Sequence, residues 1–268
     1  MAIITVSRGS FSRGKEVAEK VAQRLGYECI SRDILLEASD RFNTPEIKLI
    51  RAIHDAPSIL DRLGHGKQRY IAYIKAALLG RVRQDNVVYH GLAGHYFLQG
   101  VSHVLKVRII ADIEDRVREE MRRRGISAEE ARRILTRDDE ERSKWGLGLY
   151  GVDTGDPKLY DMTLHVKTLL VEDIVELVAH AVSLPHFRTT PESQKALDDL
   201  CLAAQVQAAL VESWPEVRIQ ADQGRVKILT RAPLSATGRL TEDIAQLARG
   251  VPGVEGVEVE VTPLGYQA

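Results

Sequence analysis

Between an apolar run, Ile3 to Val6, and a stretch with helical periodicity ending at Leu25 stands Gly9-Ser10-Phe11-Ser12-Arg13-Gly14-Lys15-Glu16. Its first seven residues fit G-x-x-x-x-G-K. Glycines at those two places let the backbone turn its N–H groups onto phosphate oxygens. The start of a helix adds partial positive charge there, and a lysine supplies a point cation for terminal phosphates. Backbone N–H groups from Ser10 to Gly14, with Gly9 as the first turn and Lys15 as the cation, are therefore the expected phosphate cradle. Glu16 stands where a Ser or Thr hydroxyl would ligate Mg²⁺; its carboxylate can hold the ion directly or through water, although it also repels phosphate. The competing account is an ordinary strand-to-helix turn. The strand before and the helix after are what the motif requires, and they favour the cradle.

Other residues could share that chemistry. Arg32 and Asp33 follow a second short apolar run, at the edge where open α/β sheets bind ligands, so Arg32 could fork a substrate phosphate or pair locally with a carboxylate. Nine arginines lie between Arg116 and Arg142. Pairs such as Glu119 with Arg123, Glu120 with Arg124 and Asp138 with Arg142 account for some of them as a solvated helix face. The pairs do not exhaust the set. Arg133 and Arg137 are one turn apart, and with Arg142 they form the kind of array that neutralises charge on a phosphoryl group in transit. His90, His95 and His103 surround a glycine-bounded turn, but no third ligand falls at a regular zinc spacing, so polar turn histidines are expected.

The elements that must position these residues follow from periodicity. Ile3, Ile4 and Val6 read as a buried parallel strand, and Val17, Val21 and Leu25, with Ala18 and Ala22, form the stripe of a covering helix. Tyr27 to Ile30, Asn86 to Tyr89, Val104 to Ile110 and Tyr160 to Val166 are the further strands. Helices are expected over 68–83, 113–124, 128–144 and 169–182, the third capped by Ser127 with Glu130 three residues on. Gly146 to Pro157 reads as a glycine-rich break. Thr44 to Leu79 is helical in tendency, divided by Pro45, Pro57 and Gly64–Gly66 into separate pieces that could form a substrate-binding flap. Strands alternating with helices give an α/β fold, a parallel sheet with helices on both faces, over 1–184. A Pro- and Thr-containing linker, 185–192, leads to a small α+β unit over 193–268, read as αββαβ with a hairpin at Asp222-Gln223-Gly224.

Composition bounds the rest. The 268 residues, 44% hydrophobic, can bury one good core and a smaller second one. A formal net charge of −1 gives no global basic field, so no nucleic-acid partner is expected. Cys29 and Cys201, far apart, provide no disulfide framework and no zinc spacing. With no basic leader before the first strand and no membrane-length apolar run, a cytoplasmic location is expected.

Over about Ala2 to Ser183 the chain resembles the cytidylate kinase-like family of P-loop nucleoside monophosphate kinases. The resemblance is carried by ITVSRGSFSRGKEVAEKVAQRLG, by SRDIL, and by RDDEERSKWG followed by YGVDTGDPKLYD, with Asp139 and Arg142 on the family's D-x-x-R positions. It implies a P-loop kinase-type sheet, ATP as donor with Mg²⁺, and a nucleotide acceptor, CMP or dCMP. The roles expected with it are catalytic Lys15 on the donor phosphates, Arg32, Asp33 and Asp139 at the acceptor, and Arg133, Arg137 and Arg142 at the transferring group. The family often carries Glu at the place of Glu16. This chain departs from the family after its third strand. Where members tend to read Gly-Arg-Gly, it has His90-Gly91-Leu92-Ala93-Gly94, without a phosphate-contacting arginine and without a Walker B aspartate. Two alternatives stay open: a nucleotide-binding regulatory module without turnover, and a kinase with a non-nucleotide acceptor. The region from about Gln194 to Pro263 resembles a BON domain, through GRVKILTRA and IAQLARGVPGVEGVEVEV. That implies attachment to membranes or partner proteins. Acidic Glu255, Glu258 and Glu260 on one strand face favour self-association or a protein partner over a membrane.

Overall fold

The structure, a computed structural model, describes residues 2–9, 12–31, 33–54, 66–91, 93–233 and 237–263. Five parallel strands, β1 (Ile3–Arg8), β2 (Glu28–Ile30), β3 (Val87–His90), β4 (Val104–Ala111) and β5 (Met162–Val166), form one sheet in the order β2-β3-β1-β4-β5. β1 is central, and its apolar side chains enter the cores on both faces of the sheet, Ile3 on one and Ile4 and Val6 on the other. All three are buried, and the strand pairs with β3 on one side and β4 on the other. Every catalytic candidate at the carboxyl end of β1 is thereby fixed from both sides.

Helix α1 (Gly14–Leu25) lays Val17 and Val21 on one face of the sheet beside α8 (Val171–Ser183). Ion pairs Lys20–Glu172 at 2.6 Å and Arg24–Glu176 at 2.9 Å join the exposed sides of these two helices. The opposite face is covered by α2 (Asp33–Arg41), α3 (Glu46–His54) and α4 (Gly66–Val82). The expected division of 44–79 therefore appears as α3 and α4; Pro57 and Gly64 lie outside the described residues. A short α5 (Gly94–Phe97) follows β3, and α6 (Ile113–Arg124) and α7 (Ala128–Tyr150) form a hairpin after β4. Ser127 Oγ accepts the Glu130 N–H at 3.2 Å, the expected cap.

The break expected at Gly146 begins later than the sequence suggests. Helix α7 runs 23 residues, through Gly146 and Gly148, and ends at Gly151 with φ 70°. Tertiary packing overrides the propensity cost of two glycines. A Cβ on Gly146 would stand 2.5 Å from Tyr96 Oη and 2.7 Å from the Val152 carbonyl, so the close approach itself demands glycine.

Beyond α8, helix α9 (Pro191–Leu210) leads to a three-stranded sheet of β6 (Arg218–Asp222), β7 (Arg225–Ala232) and β8 (Gly256–Pro263), with α10 (Thr237–Arg249) crossing between the last two. β6 and β7 are an antiparallel hairpin whose turn residues Gln223 and Gly224 both have positive φ, 47° and 81°. β7 and β8 are parallel. The observed order is the αββαβ read from the sequence.

Helix α9 has two apolar faces. Leu197, Cys201, Ala204 and Ala208 repeat at helical spacing and join the core of the first unit, alongside α4. Val206 and Leu210 join the second core under β6–β8. A buried polar clasp adds to this at the start of α9: Thr189 Oγ1 donates to Asp85 at 2.7 Å, and His103 Nδ1 lies 2.8 Å from Ser193 Oγ. Asp85, His103 and Ser193 are all buried, so this trio ties the chain down and has no route to a substrate. Among the described residues no helix is long and apolar enough to cross a membrane.

Candidate active site

Two cavities open at the carboxyl edge of the first sheet, one on each side of β1. The first, of about 170 Å³, lies toward β4 and is lined by Gly9, Ser12, Arg108, Arg116, Asp139 and Trp145 among others. The second, of about 250 Å³, lies toward β2 and β3 and includes Ser31, Leu35, Ile50, Tyr89 and His90. Arg8, Ile53 and Arg142 line both. Arg8 and Arg142 therefore stand where the compartments meet.

The first cavity gathers four arginines, Arg8, Arg108, Arg116 and Arg142, against one carboxylate, Asp139. Arg116 is only 8% exposed and grips Asp139 with two parallel hydrogen bonds of 2.8 and 2.9 Å. Arg142 reaches the same carboxylate at 3.9 Å and donates from Nη1 to the Arg8 carbonyl at 3.1 Å. Burial pulls the Arg8 and Arg142 guanidinium groups below the usual arginine range, and Arg8 lowers Arg142 further. Arg8 Nε is buried and has no hydrogen-bond partner among the described residues. Desolvated cations near each other favour an anion between them, so the donor set fits phosphate.

Glycines shape the cradle. A Cβ on Gly14 would meet Arg8 Cβ at 2.6 Å, and one on Gly9 would stand 3.4 Å from the Arg116 guanidinium carbon. Between them Ser12 is buried and its Oγ donates to the Gly9 carbonyl at 3.0 Å, while Arg13 takes a left-handed φ of 62° to start α1. Ser10 and Phe11 lie outside the described residues, as does Arg32.

The structure brings together Gly9, Ser12, Gly14, Asp139 and Arg142. It places other candidates elsewhere. Lys15 is 63% exposed, 3.6 Å from Glu19, and lines neither cavity. Glu16 takes two hydrogen bonds from Arg13, at 2.9 and 3.1 Å, and an ion pair from Lys20 at 3.0 Å. Burial raises the proton affinity of Glu16, but Lys20 and Arg13 outweigh it and hold the carboxyl below its usual range. Asp33 is exposed at the start of α2, and Arg133 and Arg137 are exposed on α7 with no hydrogen bond or ion pair among the described residues.

Four residues of the site carry a weak signal or none. Arg8 is the last residue of a buried strand, next to the first glycine of the motif, and that position was the available clue. Arg116 is one of nine arginines, and Arg108 alternates on β4 like any half-exposed residue. Trp145 lies on α7, where its indole Nε1 donates to the Ala52 carbonyl at 2.9 Å and pins α7 to α3.

Around the first cavity, Tyr160 Oη donates to the Thr154 carbonyl at 2.9 Å and lies 3.4 Å from His95 Nε2; Arg108 also donates to that carbonyl. Burial, aided by Arg108 and Lys106, drives His95 down to about 3, and burial with Arg8 drives His90 to about 4. Both rings are therefore neutral at physiological pH. His103 serves the clasp, and among the described residues no three His, Cys, Asp or Glu side chains converge as a metal site.

The cytidylate kinase-like family model matches residues 3–168. Curated cytidylate kinases from Pyrococcus horikoshii and Pyrobaculum aerophilum are each 24% identical to the chain, covering 67% and 66% of it and 88% and 90% of their own lengths. The crystal structure of an uncharacterized protein from Eubacterium ventriosum shares the fold with a TM-score of 0.52 at 17% identity, over 68% of this chain and 98% of that one. A five-stranded parallel sheet with its glycine-bounded loop at the central strand, and a family match over more than half the sequence, lead to one statement: the chain belongs to the cytidylate kinase-like family.

Proposed function

We propose that the chain transfers the terminal phosphoryl group of ATP to a nucleoside monophosphate, CMP or dCMP, with residues 1–184 as the kinase unit and 185–192 connecting it to a BON-like unit over 193–268. The observation that carries the reading is the position of Arg8 and Arg142 between two cavities at the carboxyl edge of the sheet. Donor phosphates would occupy the first cavity, against Gly9, Ser12 and Arg116, and the acceptor the second, against Ser31 and His90. An acceptor phosphate oxygen forms a bond to the terminal phosphorus as the bond to the bridging oxygen breaks, and ADP leaves with that electron pair. No covalent intermediate with the chain is needed, because positioning and charge neutralisation carry most of the catalysis.

In this reading Arg142 and Arg8 stabilise the phosphoryl group in transit, Arg116 holds Asp139 in place, and Lys15 must turn from Glu19 to reach a phosphate. Arg133 and Arg137 contribute only if α7 moves over the nucleotide; Arg32 and Asp33 would meet the acceptor. The donor set fits Mg²⁺ held mainly by phosphates and water, with at most one carboxylate, since Glu16 must first leave Arg13 and Lys20. When bound, the ion supplies charge neutralisation on the donor phosphates. The BON-like unit would assemble the enzyme with itself or with a protein partner; Glu258 and Glu260 lie 3.5 and 2.8 Å from Lys227, which leaves that strand face near neutral rather than basic.

Nucleoside monophosphates offered with ATP and Mg²⁺ in a coupled ADP assay test the reading. Turnover with CMP or dCMP is expected, and Lys15→Ala should abolish tight ATP binding without changing the circular dichroism spectrum. A second reading, nucleotide binding without turnover, is favoured by the outward ion pairs of Lys15 and Glu16. Micromolar ATP binding with no turnover of any common nucleoside monophosphate would select it.

A further inference from the structure

A larger cleft lies away from the kinase site, between the first unit and the C-terminal sheet. It has a volume of about 780 Å³, within the range of small-molecule sites. Its first wall is α4, which presents Gln68, Ile71 and Lys75 at helical spacing. The second is the C-terminal sheet, with Arg218 on β6 and Arg231 on β7. Its floor includes Tyr150, the last residue of α7.

The charges in this cleft are unevenly committed. Lys75, Arg218 and Arg231 make no hydrogen bond or ion pair among the described residues. Lys75 is partly buried, and burial holds its ammonium below the usual lysine range, a cost that no nearby carboxylate offsets. Two carboxylates also line the cleft, but Glu260 is engaged by Lys227 at 2.8 Å and Glu216 has a partner of its own. The uncommitted charge is thus positive. Ile71, Leu149 and Tyr150 add an apolar surface next to it.

We infer that this cleft is a regulatory site for an anionic small molecule, a phosphate or equivalent dianion on an aromatic or apolar body, with Lys75, Arg218 and Arg231 holding the anion and Tyr150 the body. The route to the kinase site is short. The Tyr150 ring stacks on Tyr96 with centroids 4.3 Å apart and planes 8° from parallel, and Tyr96 lines the first cavity. Tyr150 also ends the helix that carries Asp139 and Arg142. A ligand resting on Tyr150 therefore biases the position of α7, and α7 in turn sets the arginine between the two kinase cavities.

Pyridoxal 5′-phosphate, an aromatic phosphate aldehyde, is the probe. Its aldehyde condenses with an unprotonated lysine amine, releasing water, and hydride from borohydride reduces the imine to a secondary amine that peptide mass spectrometry locates. At limiting reagent the full-length protein should be modified at Lys75 in preference to the exposed lysines, and Arg218→Gln/Arg231→Gln should lower that modification about fivefold or more, since the phosphate anchor is gone while lysine reactivity is kept. Equal labelling of Lys75 in both proteins, or none in the parent, overturns the site. For the coupling, hydrogen exchange over 128–156 should slow roughly threefold on modification of the parent and stay unchanged in Lys75→Met treated in the same way. Unchanged exchange in a parent labelled at Lys75 overturns the regulatory role. Neither measurement depends on phosphoryl transfer, so failure here and failure of the kinase reading are told apart. Circular dichroism of each variant checks that it has folded.

Discussion

Arg142 Nη1 donates a hydrogen bond of 3.1 Å to the backbone carbonyl of Arg8, which fastens the middle of α7 to the end of the central strand. One side chain thus links α7 with the strand that leads into the glycine-bounded loop. Both residues line both cavities, so a change at either is felt in both.

Arg142→Ala should therefore lower kcat by about 10²–10³-fold with a smaller rise in KM, as expected for charge stabilisation made mainly in the transition state. Arg142→Lys should restore little, because an ammonium cannot reproduce the planar, multi-donor fork of a guanidinium. Arg137→Ala, on the exposed face of α7, should cost less than Arg142→Ala. Steady-state kinetics with CMP and ATP measure all three, and an Arg137 effect larger than that of Arg142 would mean that α7 turns its other face to the substrate.

Gly14→Ala puts a methyl group 2.6 Å from Arg8 Cβ, which is backbone-anchored and cannot swing aside. The overpacking should cost about 1–3 kcal/mol in urea unfolding. ATP affinity should fall in the same variant, since Arg8 is displaced. Gly26→Ala, with open space around the site and φ 69°, serves as a control that strains the backbone without touching Arg8.

Truncation after Ser183 should destabilise the kinase unit rather than release an independent one. It uncovers the α4 surface packed by Leu197, Cys201, Ala204 and Ala208 and strips His103 and Asp85 of Ser193 and Thr189. In the full chain, Leu197→Ala should cost about 2–5 kcal/mol as a buried cavity. Thermal melts of the truncated protein decide the point. A melt as sharp and as high as that of the full chain would show that the two units are energetically separate.

Stability should fall on acidification from pH 6.5. His95 and His90 have folded values of about 3 and about 4 against an ordinary value of 6.5, so below pH 6.5 the unfolded chain binds protons that the folded chain does not. Each such histidine costs about 1.4 kcal/mol per pH unit in the window between its folded value and 6.5, and nothing more below the folded value. Urea unfolding at pH 7, 6 and 5 should show this slope, and His95→Gln should reduce it by one proton. The same slope in parent and variant would place the proton uptake elsewhere.

Much of this molecule was determined by local chemistry. Ile3, Ile4 and Val6 beside a G-x-x-x-x-G-K loop and the Val17–Val21 stripe give a buried strand, a turn and a covering helix, because a short run of β-formers ended by glycine and an apolar stripe at four-residue steps each set their own local element. The positive φ at Gln223 and Gly224 and the Ser127 cap are likewise written in neighbouring residues. Only the tertiary structure decided which arginines meet. Arg8, Arg108, Arg116 and Arg142 come from two strands and two helices, and their convergence depends on strand order and on the hairpin of α6 and α7, which no spacing along the chain encodes. The continuation of α7 through two glycines, and the second apolar face of α9 that binds the two units together, have the same origin: each is stabilised by contacts with residues distant in sequence, and those contacts exist only once the sheet is assembled.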